Sequence, residues 1–315
     1  MSKMATFFKD NPVLVNELRI RMRGKRAFLI LAGHLFLISA VVFLVYLAVY
    51  EDAQSYSRFS YYSNYQRALE ASATAGKSIF YGAVFILLMF VSVISPAFTA
   101  GTLVGEKERQ TYDLLTITTL SPWAIVMGKL NAIMIFIILL IMATLPILTI
   151  AYFFGGVAIG QVLIAVLILL LTALVFSTLG LFVSSFARST TTANLITYAA
   201  VIPMLIGVPF VVFLITVLST GIFFDDLLSD TPPLILAAIL TYTIAFLLSI
   251  NPLSMAVASE IFISETGHYF FSVEKFFDIN LPIIAPWIVY VVFSVVMSFI
   301  FIQAAVRQVG HTSRI

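Results

Sequence analysis

The chain has 315 residues, of which 61% are apolar and only 10% charged, with a net charge of +2 and no cysteine. Soluble domains lie nearer half apolar and a quarter charged, so the composition excludes an ordinary soluble domain and describes an all-α polytopic membrane protein forming one domain over residues 1–315. The missing cysteines exclude a disulfide framework, a thiolate metal site and a thiol nucleophile.

Residues Met1 to Arg26 are basic, with Lys3, Lys9, Arg19, Arg21, Arg23, Lys25 and Arg26 against Asp10 and Glu17. Asn11 is an N-cap candidate and Pro12 suits the first helical position. Leu14, Val15, Leu18 and Met22 then share one helical face, which predicts an interfacial helix over residues 10–26 near anionic headgroups. The first apolar segment is too long for the core of a signal peptide and lacks a small-x-small cleavage site.

A membrane span needs roughly 20 apolar residues. The pattern predicts spans over Ala27 to Tyr50, Ser78 to Leu103 with a late break at Ser95-Pro96, Asn131 to Phe154, Gln161 to Phe186, Ala193 to Leu218 with Pro203 and Pro209 inside, and Pro282 to Val306. Between the first two, Glu51 to Lys77 reads as a polar loop whose tyrosines suit the membrane interface. Leu234 to Ile250 is apolar but ambiguous. The region around it carries Asp225, Asp226, Asp230, Glu260, Glu265, Glu274 and Asp278 against Lys275 alone, whereas Arg307 and Arg314 follow the last span. Positive residues favour the cytoplasmic side, so residues 234–259 read as a re-entrant pair bent near Asn251-Pro252, giving six spans with both termini inside. Seven spans with an outside tail is the alternative. Asp225, Asp226 and Asp230 lack calcium-loop spacing and read as a solvated loop.

The chain has no Gly-x-x-x-x-Gly-Lys-(Ser/Thr) phosphate loop, no His-Glu-x-x-His and no nucleophile–base pair, so no catalytic residue and no metal site is assigned. The spans are nearly free of ionisable groups. Ion-coupled carriers place such groups near the midplane, and their scarcity disfavours that class. His34 is the main exception and reads as an interhelical hydrogen-bond partner.

Energy for transport would then enter from outside the membrane. The place for it is Gly105 to Leu130, a polar interruption between two spans that carries Glu106, Lys107, Glu108, Arg109, Asp113 and Lys129. Thr111 to Leu120 is a short amphipathic helix candidate, with Leu114, Leu115 and Ile117 on one face and Tyr112 beside it. Ser121-Pro122 reads as an N-cap and a first helical residue. On pattern alone, an ordinary cytoplasmic loop on the headgroups is the commoner reading.

This stretch resembles the intracellular loop of type-2 ABC exporter permeases. The matching elements are Gly105-Glu106-Lys107-Glu108, Thr111-Tyr112-Asp113-Leu114-Leu115, Leu120-Ser121-Pro122 and Gly128-Lys129. The family usually has Gly before the Thr, where this chain has Gln110, which leaves the turn into the helix open. The resemblance implies a coupling loop over residues 105–121, in which Glu106 and Glu108 brace the loop with Lys107 or Arg109 as partners. Tyr112, Leu114 and Leu115 would fill a groove on an ATPase, with Thr111 and Asp113 in the same helix, and Ser121 and Pro122 would direct the third span. It also implies separate ATPase subunits on the cytoplasmic face that carry ATP and Mg, a second permease subunit, identical or related, and a prokaryotic inner membrane. Spans two and five would face the translocation path, which singles out Phe85, Phe90, Phe210 and Phe213. The competing reading is a membrane scaffold or assembly protein without transport. Drugs, lipids, peptides, glycans and small ions all remain open as substrate.

Overall fold

A computed structural model of the chain describes residues 12–22, 25–56, 61–112, 121–220, 234–276 and 279–312. The helices in order are α1 (Pro12–Met22), α2 (Lys25–Tyr56), α3 (Tyr61–Ala100), α4 (Thr102–Glu108), α5 (Pro122–Phe153), α6 (Ile159–Phe186), α7 (Thr190–Ile202), α8 (Val208–Thr220), α9 (Leu234–Ile250), α10 (Pro252–Thr266) and α11 (Pro286–Thr312). A π turn at Pro203–Gly207 joins α7 to α8, and a hairpin of β1 (Phe271–Phe276) and β2 (Ile279–Ile284) precedes α11. Among the described residues, six helical stretches are long and apolar enough to cross a membrane. The fold is thus all-α and polytopic, as the composition requires, with one small antiparallel hairpin added.

α3 and α6 form the centre. About half of each span's most apolar stretch is buried, against 11% for α2. The two pack along each other, and α11, α5 and α2 pack around them. Small residues permit the close approach. A Cβ at Gly180 of α6 would lie 2.0 Å from Thr99 Oγ1 of α3, and one at Gly76 would meet the Gly155 carbonyl at 2.2 Å. The core between them is aliphatic, with Leu87, Leu88, Ile133, Ile137, Leu169 and Ala173 all buried.

Two pairs of polar groups inside this bundle join different helices. Thr144 donates to Leu140 O at 3.0 Å, so His34 Nε2–H must donate to Thr144 Oγ1 at 2.9 Å. Likewise Thr172 donates to Ile168 O, and the fully buried Tyr290 hydroxyl donates to Thr172 Oγ1 at 2.8 Å. His34 therefore ties α2 to α5, the interhelical role expected of it.

Several boundaries differ from the expected ones. Pro96 does not break the second span. α3 runs through it, and the break falls at Gly101. The free N–H groups of Leu103 and Val104 after that break are accepted by Ser184 Oγ of α6 at 3.0 and 3.1 Å. Much of the stretch read as a polar loop, Glu51 to Lys77, is helical, because its Ala, Gln and Glu residues are good helix formers. The last span begins at Pro286 rather than Pro282, since Pro282 lies in β2.

The apolar stretch from Leu234 ends at a bend. α9 stops at Ile250, and Asn251 caps α10 by accepting from Leu253 N at 2.8 Å and Ser254 N at 3.0 Å, with Pro252 at the first helical position. The same side chain donates through Nδ2 to the carbonyls of Met204 and, at 3.1 Å, Leu205. Those carbonyls lie in the π turn, where backbone acceptors are displaced from the regular helical ladder. One buried asparagine thus joins the α9–α10 bend to the fifth span.

Candidate functional site: a braced loop between the second and third spans

Residues 105–112 are described, whereas Asp113 to Leu120 lie outside the described residues. The expected docking helix, with Asp113, Leu114 and Leu115, therefore has no structural account beyond Thr111 and Tyr112. Asp225, Asp226 and Asp230 lie outside them as well.

The entry to the loop is set by a Schellman turn. Gln110 N–H donates to Lys107 O at 3.1 Å and Thr111 N–H to Glu106 O at 3.0 Å, which closes α4. Gln110 takes φ +56°, the only positive value at a non-glycine position among the described residues. The left-handed turn that glycine would supply is therefore kept here by glutamine. The exit is set by Ser121, whose Oγ accepts from Ala124 N–H at 3.2 Å, with Pro122 at the first position of α5. Both roles predicted for that pair hold.

The acidic residues of the loop take hydrogen-bond partners beyond those expected, although Arg109 still acts on Glu108 through its charge. Glu106 Oε1 meets Lys129 Nζ of α5 at 2.7 Å, not Lys107 or Arg109. The same ammonium meets Glu17 Oε1 of α1 at 2.8 Å, and the Lys129 side chain is fully buried. A lysine this far inside an apolar helix is costly unless paired, and here two carboxylates share it. Glu108 accepts from Thr190 N at 2.8 Å and Thr190 Oγ1 at 2.5 Å, at the start of α7. A carboxylate there satisfies an open N–H and complements the helix dipole. Lys107 donates to Ser185 O of α6 at 2.6 Å and lies 5.4 Å over the Tyr112 ring. Arg109 is exposed.

Tyr112, expected in a partner's groove, is covered by this chain instead. It is 5% exposed and packs with Leu103, Ile125, Val126, Ala305 and Val309. Its ring joins the loop to α5 and α11. Lys129 and Glu17 were missed as members of this site. The available signal was a lone lysine among apolar residues of a span, which demands an acid nearby without saying which one.

The four aromatic positions divide. Phe85, Phe210 and Phe213 are exposed on the outside of the chain. Phe90 instead stacks at a tilt on His34, with ring centroids 4.7 Å apart, at the contact between α2 and α3.

The loop is therefore fastened to α1, α5, α6, α7 and α11 at once. Residues 12–306 match the family described as ABC-2 family transporter protein. The chain belongs to this family. A search of curated proteins finds no match. Membership makes the chain a type-2 ABC permease protein, a multi-pass transmembrane component of a family that works with ABC ATPases.

Proposed function

We propose that the chain is the permease subunit of an ATP-driven exporter. Separate ATPase subunits dock on the Thr111 to Leu120 segment from the cytoplasmic face, where both termini also lie in an inner membrane. ATP and Mg stay on those ATPases. Leu114 and Leu115 supply the apolar contact, and Asp113 borders it. A second permease subunit faces spans two and five, so that Phe85, Phe210 and Phe213 lie toward the shared path. Residues 10–26 lie along the headgroups, and residues 234–259 enter and leave the membrane from the outer side without crossing.

The observation that carries this reading is the brace at the loop. Lys129, Ser185 and Thr190 hold Glu106, Lys107 and Glu108 in turn, and each belongs to a different helix, while Ser184 holds the two residues that lead into the loop. A displacement of the loop then moves α5 through Lys129, α6 through its serines and α7 through Thr190. Interlocked polar contacts of this kind move together or break together.

The test is co-expression of the tagged chain with the ATPase encoded beside its gene, followed by purification in mild detergent. We expect co-purification, ATP hydrolysis altered by the permease, and loss of that coupling in Leu114→Asp with membrane insertion intact. An ATPase that neither binds nor responds would overturn the proposal.

A further inference from the structure

α6 presents opposite chemistry at its two ends. Ser184 and Ser185 hold the braced loop. Gln161 lies 24 residues earlier, roughly 36 Å away along the helix. There Gln161 Oε1 accepts from Ala158 N–H at 2.8 Å, and Nε2 donates to the Tyr81 hydroxyl at 3.1 Å and to Glu260 Oε2 at 3.0 Å. Glu260 is carried on α10, the second limb of the bent pair. A cleft of about 50 Å³ lies beside these groups, between α3, α6 and α10, walled by Phe80, Val84, Leu88, Ile164 and Ile168.

Two features of the cleft are left open among the described residues. Glu260 has no cation within ion-pair distance among the described residues. Ser259, 4% exposed, lines the same cleft and its Oγ has no hydrogen-bond partner. A carboxylate and a hydroxyl beside an apolar wall suit a cation that carries a hydrocarbon tail. A water needs roughly 10–15 Å³ of such space, so the cleft takes a few small groups, enough for an ammonium and its first methylenes. The surroundings say where the ligand comes from. Leu163 and Leu167 of α6 and Val257 and Ile261 of α10 are all exposed apolar side chains, a surface made for lipid.

We propose that this cleft binds the primary ammonium headgroup of a lipid from the surrounding bilayer, with Glu260 as counter-charge, Ser259 as a hydrogen-bond acceptor and Gln161 holding Glu260 in place. The tail follows the apolar wall toward the exposed faces of α6 and α10. The site does not depend on the transport reading, because it uses none of the loop residues.

The test uses the full-length chain, purified in mild detergent, with native mass spectrometry of bound lipid. The probes are dioleoylphosphatidylethanolamine and dioleoylphosphatidylcholine, which share tails and differ in the bulk and hydrogen-bonding of the ammonium. Wild type should retain the ethanolamine lipid about tenfold better, as a charge-assisted hydrogen bond implies. Glu260→Gln should abolish that preference, and Ala256→Leu, which narrows the cleft without touching its polar groups, should lower ethanolamine-lipid retention with Glu260 intact. Dodecylamine should displace the ethanolamine lipid from wild type. Equal retention of the two lipids, or an undiminished preference in Glu260→Gln, would overturn the proposal. Glu260-dependent binding of dodecylamine without any for the ethanolamine lipid would overturn the assignment to a bilayer lipid.

Discussion

Two ends of the bundle each hold a charge in apolar surroundings, and the chain treats them differently. At the loop end, Lys129 is buried and answered twice, by Glu17 and Glu106. At the other end, Glu260 is met among the described residues by neutral groups, the Gln161 amide and the Tyr81 hydroxyl, and by no cation. A charge enclosed by its own counter-ions stiffens the structure around it, since removing either partner leaves the other stranded. A charge held by neutral groups next to open space retains its capacity for an external partner. The difference separates a joint from a binding site, although both use carboxylates on helices of one small bundle.

The most severe way to break this comparison is to remove the shared cation. Lys129→Met leaves Glu17 and Glu106 facing each other without compensation, and should destabilise the chain by about 3 kcal/mol. Thermal unfolding in detergent would read it, and Lys129→Met combined with Glu106→Gln should recover part of the loss by removing the repulsion. A single variant as stable as wild type would show that the cluster is not a joint. Glu260→Gln should cost far less by the same measurement, because no ion pair is lost.

A smaller effect sharpens the separation of the two ends. Asn251 uses its oxygen to cap α10 and its nitrogen to hold the π turn, so Asn251→Ala removes bonds on both sides of the bend. The expected cost is about 2 kcal/mol, a cap plus buried acceptors left open. Hydrogen exchange should rise in α10 and at Pro203–Gly207 while α4 keeps its protection. Faster exchange in α4 would mean that the two ends are one cooperative unit.

What the sequence announced was local. Span number follows from the length of apolar runs, and Ser121-Pro122 and Asn251-Pro252 are cap-and-proline pairs whose meaning needs no knowledge of the fold. The match over residues 12–306 agrees with the family that the loop residues resembled. The pairings within the loop were not legible. Lys129 and Glu17 are 112 positions apart, and Glu108 and Thr190 are 82 apart, so only the packing of α1, α5 and α7 brings them together. Nearest-neighbour charge logic chose Lys107 and Arg109; Arg109 does act on Glu108 by charge, but Lys107 is drawn to the Ser185 carbonyl of α6. Tyr112 was misplaced for a related reason, since an aromatic beside a polar loop faces out or in according to what the tertiary fold puts behind it. The hairpin Phe271–Phe276 with Ile279–Ile284 was overlooked because a short strand pair carrying Glu274, Lys275 and Pro282 reads as loop.

The smallest expected effect lies at Gln110, and it bears on why the loop end is a joint at all. A residue with φ +56° that is not glycine carries a steric cost between its Cβ and the backbone, of order 1 kcal/mol. Gln110→Gly relieves that cost while raising the entropy of the unfolded chain, and the two effects oppose each other. The Schellman bonds at Lys107 and Glu106 are made by backbone and survive the change. If the brace formed by Lys129, Ser184 and Ser185 holds the turn, the substitution should shift stability by about 1 kcal/mol or less and leave ATPase coupling intact. If the glutamine side chain instead directs the path into Thr111, stability would hardly move while coupling fell. Measuring unfolding and ATPase stimulation on the same preparation separates the two outcomes, because a turn held by the backbone answers in the first and a turn steered by a side chain answers in the second.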